Sequence, residues 1–152
     1  MKPTDFQLIG DWPDCDYSVV GIVLQDEQKR IACQLRDDFD HVDGGGLWTI
    51  FGGHHEPPET LLDCAARELE EELGVRGQPT DFEPLARFVP KKGIQAYHYY
   101  FRYLPPVKPA DFRLTEGAGF GFLHKRQIET LPFMPSAVIL LDHFKASHEI
   151  AQ

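Results

Sequence analysis

The chain has 152 residues, 42% of them apolar and 26% charged, which suits one folded domain over residues 1–152 and excludes a disordered chain. Its best apolar runs, Ser18 to Leu24 and Ala137 to Leu141, are far shorter than the roughly 20 residues that cross a bilayer. A net charge of −9 opposes contact with a nucleic-acid backbone, so neither membrane nor nucleic acid is an expected partner.

Strands and helices then alternate along the chain. Tyr17 to Leu24 is rich in β-branched residues and reads as a strand, with Ile31 to Arg36 as its expected hairpin partner across the polar turn at Asp26 to Lys29. A polar loop ends in Gly44-Gly45-Gly46 and leads to the short apolar run Leu47 to Phe51. Thr60 to Leu73 is the clearest helix, closed by Gly74 in the position that favours a left-handed residue. Strands are expected at Leu85 to Val89, Gln95 to Tyr103 and Gly119 to Leu123, and helices at Lys125 to Leu131 and Ser136 to Ser147. This order predicts an α/β sheet covered on both faces.

Charge is concentrated in one segment. Between Gly53 and Val75 lie seven acidic residues and a single basic one, Arg67. At about 100° per residue, Glu68, Glu71 and Glu72 form one i, i+3, i+4 set with their carboxylates side by side. Leu61, Leu62, Ala65, Leu69 and Leu73 make the adjoining apolar arc, so these anions flank the buried side of the helix. Such a cluster needs counter-charge, and hard oxygen ligands suit Mg²⁺ or Mn²⁺ better than zinc.

The segment Gly53, five residues, Glu59, seven residues, Arg67-Glu68-Leu69-Glu70-Glu71-Glu72-Leu73-Gly74-Val75 resembles the Nudix box, G-x5-E-x7-R-E-U-x-E-E-x-G-U, at every specified position. Leu35 to Asp38 and Leu47 to Gly53 resemble the family's approach to the box, although Phe51 stands where proline is frequent and Pro58 where glycine is frequent. The resemblance implies a Nudix-like α/β/α sandwich with a mixed β-sheet between helices. It also implies a metal-dependent pyrophosphohydrolase acting on a nucleoside diphosphate linked to another moiety, such as a nucleotide sugar or ADP-ribose, while the sparse cysteines point to a cytoplasmic protein. Pro90, fifteen residues beyond Val75, is similar to the pattern of ADP-ribose hydrolases. A house-cleaning hydrolase of (d)NTPs or oxidised nucleotides is the alternative. A nucleotide-sensing module that has lost catalysis is the remoter one, and a homodimer is compatible with all three.

Carried across, Glu68, Glu71 and Glu72 become metal ligands, with the Gly52 carbonyl as a further candidate. Arg67 would hold the glutamates in place, and Glu59 would pair with Arg67. The general base is either Glu68 or Glu116, which precedes a late strand. Arg36 is the candidate for a substrate phosphate, with Arg87, Lys91, Lys92 and Arg102 behind it. Trp48 and Phe51 are candidates for stacking on a base, as are Tyr97, Tyr99 and Phe101. His54 and His55 are not expected as ligands. Cys15, Cys33 and Cys64, an odd and sparse count, are expected to be reduced thiols without a catalytic role, and the polar N-terminus carries no apolar leader.

Overall fold

A computed structural model describes residues 1–38 and 44–152. Part of the polar loop expected before Gly44 lies outside the described residues. Among the described residues, eight strands form two sheets. They are β1 (Gln7–Leu8), β2 (Ser18–Val23), β3 (Ile31–Leu35), β4 (Trp48–Thr49), β5 (Phe51–His54), β6 (Phe82–Phe88), β7 (Tyr97–Tyr103) and β8 (Gly119–Leu123). The larger sheet is mixed, in the order β1-β6-β7-β2-β5, and the smaller is antiparallel, in the order β4-β3-β8.

Among the described residues three α-helices complete the fold: α1 (Leu61–Leu73), α2 (Lys125–Thr130) and α3 (Pro135–Ser147). Alternation along β7 decides which helix each residue meets. Tyr99, Phe101 and Tyr103 face the core beneath α1, with Val20, Ile22, Leu69 and Leu73. Tyr100 faces the second core beneath α3, with Phe88, Ala137, Leu140 and Phe144. The α/β/α sandwich follows from two apolar faces on one mixed sheet.

The expected hairpin between the first two long strands does not form. Both edges of β2 are occupied, by β7 in parallel and by β5 antiparallel, so only a bridge from Gln25 to Ile31 joins the two segments before β3 turns into the smaller sheet. The run Leu47 to Phe51 also divides between sheets, with Thr49 paired to β3 and Phe51 to β2. The strand expected over Leu85 to Val89 begins earlier, at Phe82, and accommodates Pro84 at an irregularity in its pairing with β7.

Candidate active site

Local chemistry starts α1 where the acidic loop ends. Thr60 Oγ1 accepts the Asp63 amide at 3.0 Å, and the Asp63 carboxylate accepts the Thr60 amide in return, a cap contributing about 1 kcal/mol. Gly74 ends the helix in the left-handed conformation at φ 70°. The carbonyls left free at that end are taken by the chain before β8. Arg113 N–H donates to Leu73 O at 2.8 Å, Thr115 N–H to Glu72 O at 3.1 Å, and Thr115 Oγ1 to Glu71 O at 2.7 Å. This capping carries Glu116 to the rim of a cleft of about 690 Å³ that the helix carboxylates also line.

Arg67 is the hub of the acidic row. Its Nε and Nη2 donate to Glu59 at 2.9 and 2.7 Å, and its Nη2 also donates to the His54 carbonyl at 3.0 Å. Its Nη1 reaches Glu68 at 2.9 Å and Glu71 at 3.1 Å. The guanidinium hydrogen bonds hold the Glu59 carboxyl down to about 2, and the same partners raise Arg67 further above its ordinary range.

Glu68 and Glu72 lie deeper. Burial raises both carboxyls; Arg67 opposes the rise at Glu68, whereas the charges of Glu68 and Glu116 add to it at Glu72. Glu72 is 4% exposed, and its Oε2 is buried without a hydrogen-bond partner. Two glycines of β5 make room for the row. A Cβ at Gly53 would strike the Glu68 carboxylate, and a Cβ at Gly52 would strike the Val20 carbonyl. Among the described residues, no three Asp, Glu, His or Cys side chains already converge as a closed cage for one ion. Arg67 instead draws Glu68 and Glu71 toward itself. An orphaned, buried carboxylate oxygen between two further carboxylates, over a cradle free of side chains, still has the chemistry of a divalent-cation site.

A model of the NUDIX domain family matches residues 17–139. This chain belongs to the Nudix family. Over 63 residues it is 49% identical to the phosphatase NudJ of Escherichia coli strain K12, a stretch spanning 41% of this chain and only 38% of that relative. The fold is shared with the ORF135 protein of E. coli, at a TM-score of 0.68 and 20% identity over 96% of this chain and 94% of that one. It is shared too with the NUDIX domain of Shewanella oneidensis NrtR, whose structure is a complex with ADP ribose. There the TM-score is 0.70 and the identity 15%, over 96% of this chain and 92% of the other.

Within this Nudix fold the remaining sequence candidates separate. Gly52, Glu68, Glu71, Glu72, Arg67, Glu116 and Arg36 all line the one cleft, and the buried Gln34 steadies Glu116 by donating to its carbonyl at 3.0 Å. Glu59 stands behind Arg67. Phe51 is 1% exposed and packs edge-on against Phe112, so it offers no face to a base. Trp48 packs into the core beneath α3, its backbone pinned by Pro132 and Met134, and does not line the cleft. The aromatics Tyr99 and Phe101 point into the core beneath α1, and Tyr97 stacks on Trp12.

The side chains of β7 that do line the cleft are His98 and Tyr100, joined by Ser136 from α3. Tyr97, Tyr99 and Phe101, the aromatics expected to stack on a base, alternate onto the other face of this strand. The available signal was His98, a polar residue alternating with aromatics. Arg87 lies over the Trp12 ring at 4.5 Å and Arg102 faces Glu83 at 3.8 Å. His54 stacks on Tyr17, and the His55 ring bonds the Glu59 carbonyl at 2.7 Å. Burial raises the Cys64 thiol to about 12, which leaves it a poor nucleophile.

Proposed function

We propose that this Nudix protein is a divalent-metal-dependent pyrophosphohydrolase that cleaves a phosphoanhydride bond in a nucleoside diphosphate linked to another moiety. The observation that carries the reading is the buried, unpartnered Oε2 of Glu72 beside Glu68 at the floor of the cleft. An anion so placed is costly unless a cation lies beside it. Glu68, Glu71 and Glu72, with the Gly52 carbonyl, would hold Mg²⁺ or Mn²⁺. The bound ion would neutralise pyrophosphate charge and lower the pKa of the attacking water.

The protein's own groups supply the rest. Arg67, locked by Glu59, keeps the carboxylates from splaying apart under their mutual repulsion. Arg36, on the β3 side of the cleft, offers a cation to a substrate phosphate. A carboxylate oxygen of Glu68 or of Glu116 takes the proton from water as the P–O bond forms, and the bridging oxygen leaves with one phosphate group. The products are two phosphomonoesters. A nucleotide sugar or ADP-ribose is the favoured substrate class, and the ADP ribose held by the NrtR Nudix domain supports it. The unpaired cysteines support a cytoplasmic site of action.

The test is a screen of nucleotide sugars, ADP-ribose, dinucleoside polyphosphates and (d)NTPs with Mg²⁺, scored by product identity. A nucleoside monophosphate and a second phosphomonoester are expected from a diphosphate derivative, with activity abolished by EDTA. Undiminished turnover in EDTA overturns the metal role, and release of pyrophosphate from (d)NTPs alone overturns the substrate class.

A further inference from the structure

The aromatic side chains that line the cleft differ in what they leave open. His98 and Tyr100 are only 2% and 5% exposed, and Phe88 stacks on both rings, so little of either is left for a ligand. Tyr17 lines the same cleft and is 40% exposed. A large ring left in water beside a charged site forgoes the burial that holds most aromatic side chains in a core.

Strand pairing sets its place. Tyr17 stands just before β2, and Tyr17, Val19 and Gly21 alternate onto the cleft side of that strand. Gly21 is opposite Gly52 of β5, and Val19 is opposite His54. His54 is therefore two residues from the Gly52 carbonyl at the carboxylate end, about 7 Å along the strand. That interval suits the single sugar between a nucleobase and its first phosphate.

The Tyr17 ring is also held in one plane. It stacks on the His54 ring with centroids 5.2 Å apart and planes 3° from parallel, so His54 occupies one of its faces. His54 is the only ring stacked on Tyr17 among the described residues. Backbone hydrogen bonds fix both partners. The Tyr97 amide donates to the Tyr17 carbonyl at 3.0 Å, and the His55 amide donates to the Ser18 carbonyl at 3.0 Å. Arg67 Nη2 donates to the His54 carbonyl at 3.0 Å, so the residue that orders the carboxylates also anchors the support of this ring.

We propose that Tyr17 is the platform on which the nucleobase of the substrate stacks, with His54 as its backing. This rests on the pyrophosphohydrolase reading of the cleft and assigns the end that holds the base. A base stacks on an aromatic face whatever its hydrogen-bond pattern, so the platform selects for a base rather than for one base. The contact is the same in ground and transition states, and it therefore acts on KM and not on kcat.

Two pairs of compounds isolate the base. ADP-ribose is compared with the diribosyl diphosphate that lacks adenine, and AMP with ribose 5-phosphate for binding without turnover. The wild type is expected to favour the base-bearing member of each pair by about tenfold, in kcat/KM and in calorimetric Kd. Tyr17→Ala should remove most of that preference and leave the compounds without a base unaffected. Tyr17→Phe should keep it, since the ring and not the hydroxyl makes the contact, and His54→Ala should narrow it in part. An unchanged preference in Tyr17→Ala, an equal loss for compounds with and without the base, or a wild type indifferent to the base overturns the proposal. A full preference in His54→Ala removes the backing role. If the wild type hydrolyses neither diphosphate, the ADP-ribose form of the functional reading fails, and AMP against ribose 5-phosphate still decides the role of Tyr17.

Discussion

Arg67 grips Glu59 with two nitrogens, at 2.9 and 2.7 Å, and so ties the loop before α1 to the middle of that helix. The two side chains are only 25% and 16% exposed, which sets this pair apart from an ordinary surface salt bridge. Glu59→Gln is expected to lower stability by about 1–2 kcal/mol, more than an exposed pair and less than a fully buried one.

The same pair predicts a pH dependence. The Glu59 carboxyl is held at about 2 in the folded protein against an ordinary 4.5. Its contribution is therefore complete above about pH 4.5 and lost as pH falls toward 2, because the unfolded chain takes up the proton first. Denaturation of wild type and Glu59→Gln from pH 6 downward should show their difference shrinking across that interval. A constant difference would falsify the assignment.

Glu72→Gln should stabilise the metal-free protein, since burial and the Glu68 and Glu116 charges raise the Glu72 carboxyl and make its ionised form costly to fold, whereas an amide of the same size carries no such cost. Thermal melts should show a Tm higher by a few degrees without metal. Mg²⁺ should raise the Tm of the wild type and do much less for the variant, by mass action on the folded state. Equal gains in both would place the ion elsewhere.

The two candidates for the base separate by metal titration. If Glu116 takes the proton, Glu116→Gln lowers kcat by about 10²-fold with metal affinity nearly unchanged. If Glu68 is ligand and base together, Glu68→Gln depresses turnover and metal binding, and Glu116→Gln is mild. Glu68 is favoured, because it lies half-buried beside Glu72 whereas Glu116 sits in an exposed loop. Full recovery of Glu68→Gln at high Mg²⁺ excludes it as the base.

The two glycines of β5 should respond differently. At Gly53 a methyl group meets only the end of the Glu68 side chain, so Gly53→Ala should fold and lose Mg²⁺ binding as that carboxylate is displaced. At Gly52 it meets the backbone of β2, which cannot yield without breaking the sheet, so Gly52→Ala should lose the fold. Circular dichroism with Mg²⁺ titration distinguishes them. A folded Gly53→Ala with unaltered Mg²⁺ affinity would separate Glu68 from the metal.

The carboxylate row, its helix and the glycine that ends it were legible in the sequence because they are local. The i, i+3, i+4 spacing of Glu68, Glu71 and Glu72, Thr60 at the start and Gly74 at the end all lie within one helix and its ends. The partnership of Arg67 with Glu59 came from the family resemblance, and those two residues lie only eight positions apart.

Long-range relations were not legible. Each face of β7 is apolar enough to be buried, so alternation alone could not say that Tyr99 and Phe101 meet α1 while His98 and Tyr100 line the cleft. Only the pairing of β7 with β2, and the seating of α3 over the other face, decided it. Phe51 and Trp48 show the same limit, since an aromatic ring reads alike in a core and in a binding site until its neighbours are known. The sequence by itself determined the acidic chemistry, which depends on spacing along one helix. The tertiary structure alone decided which distant side chains share the cleft with it, because that depends on strand order and burial across the sheet.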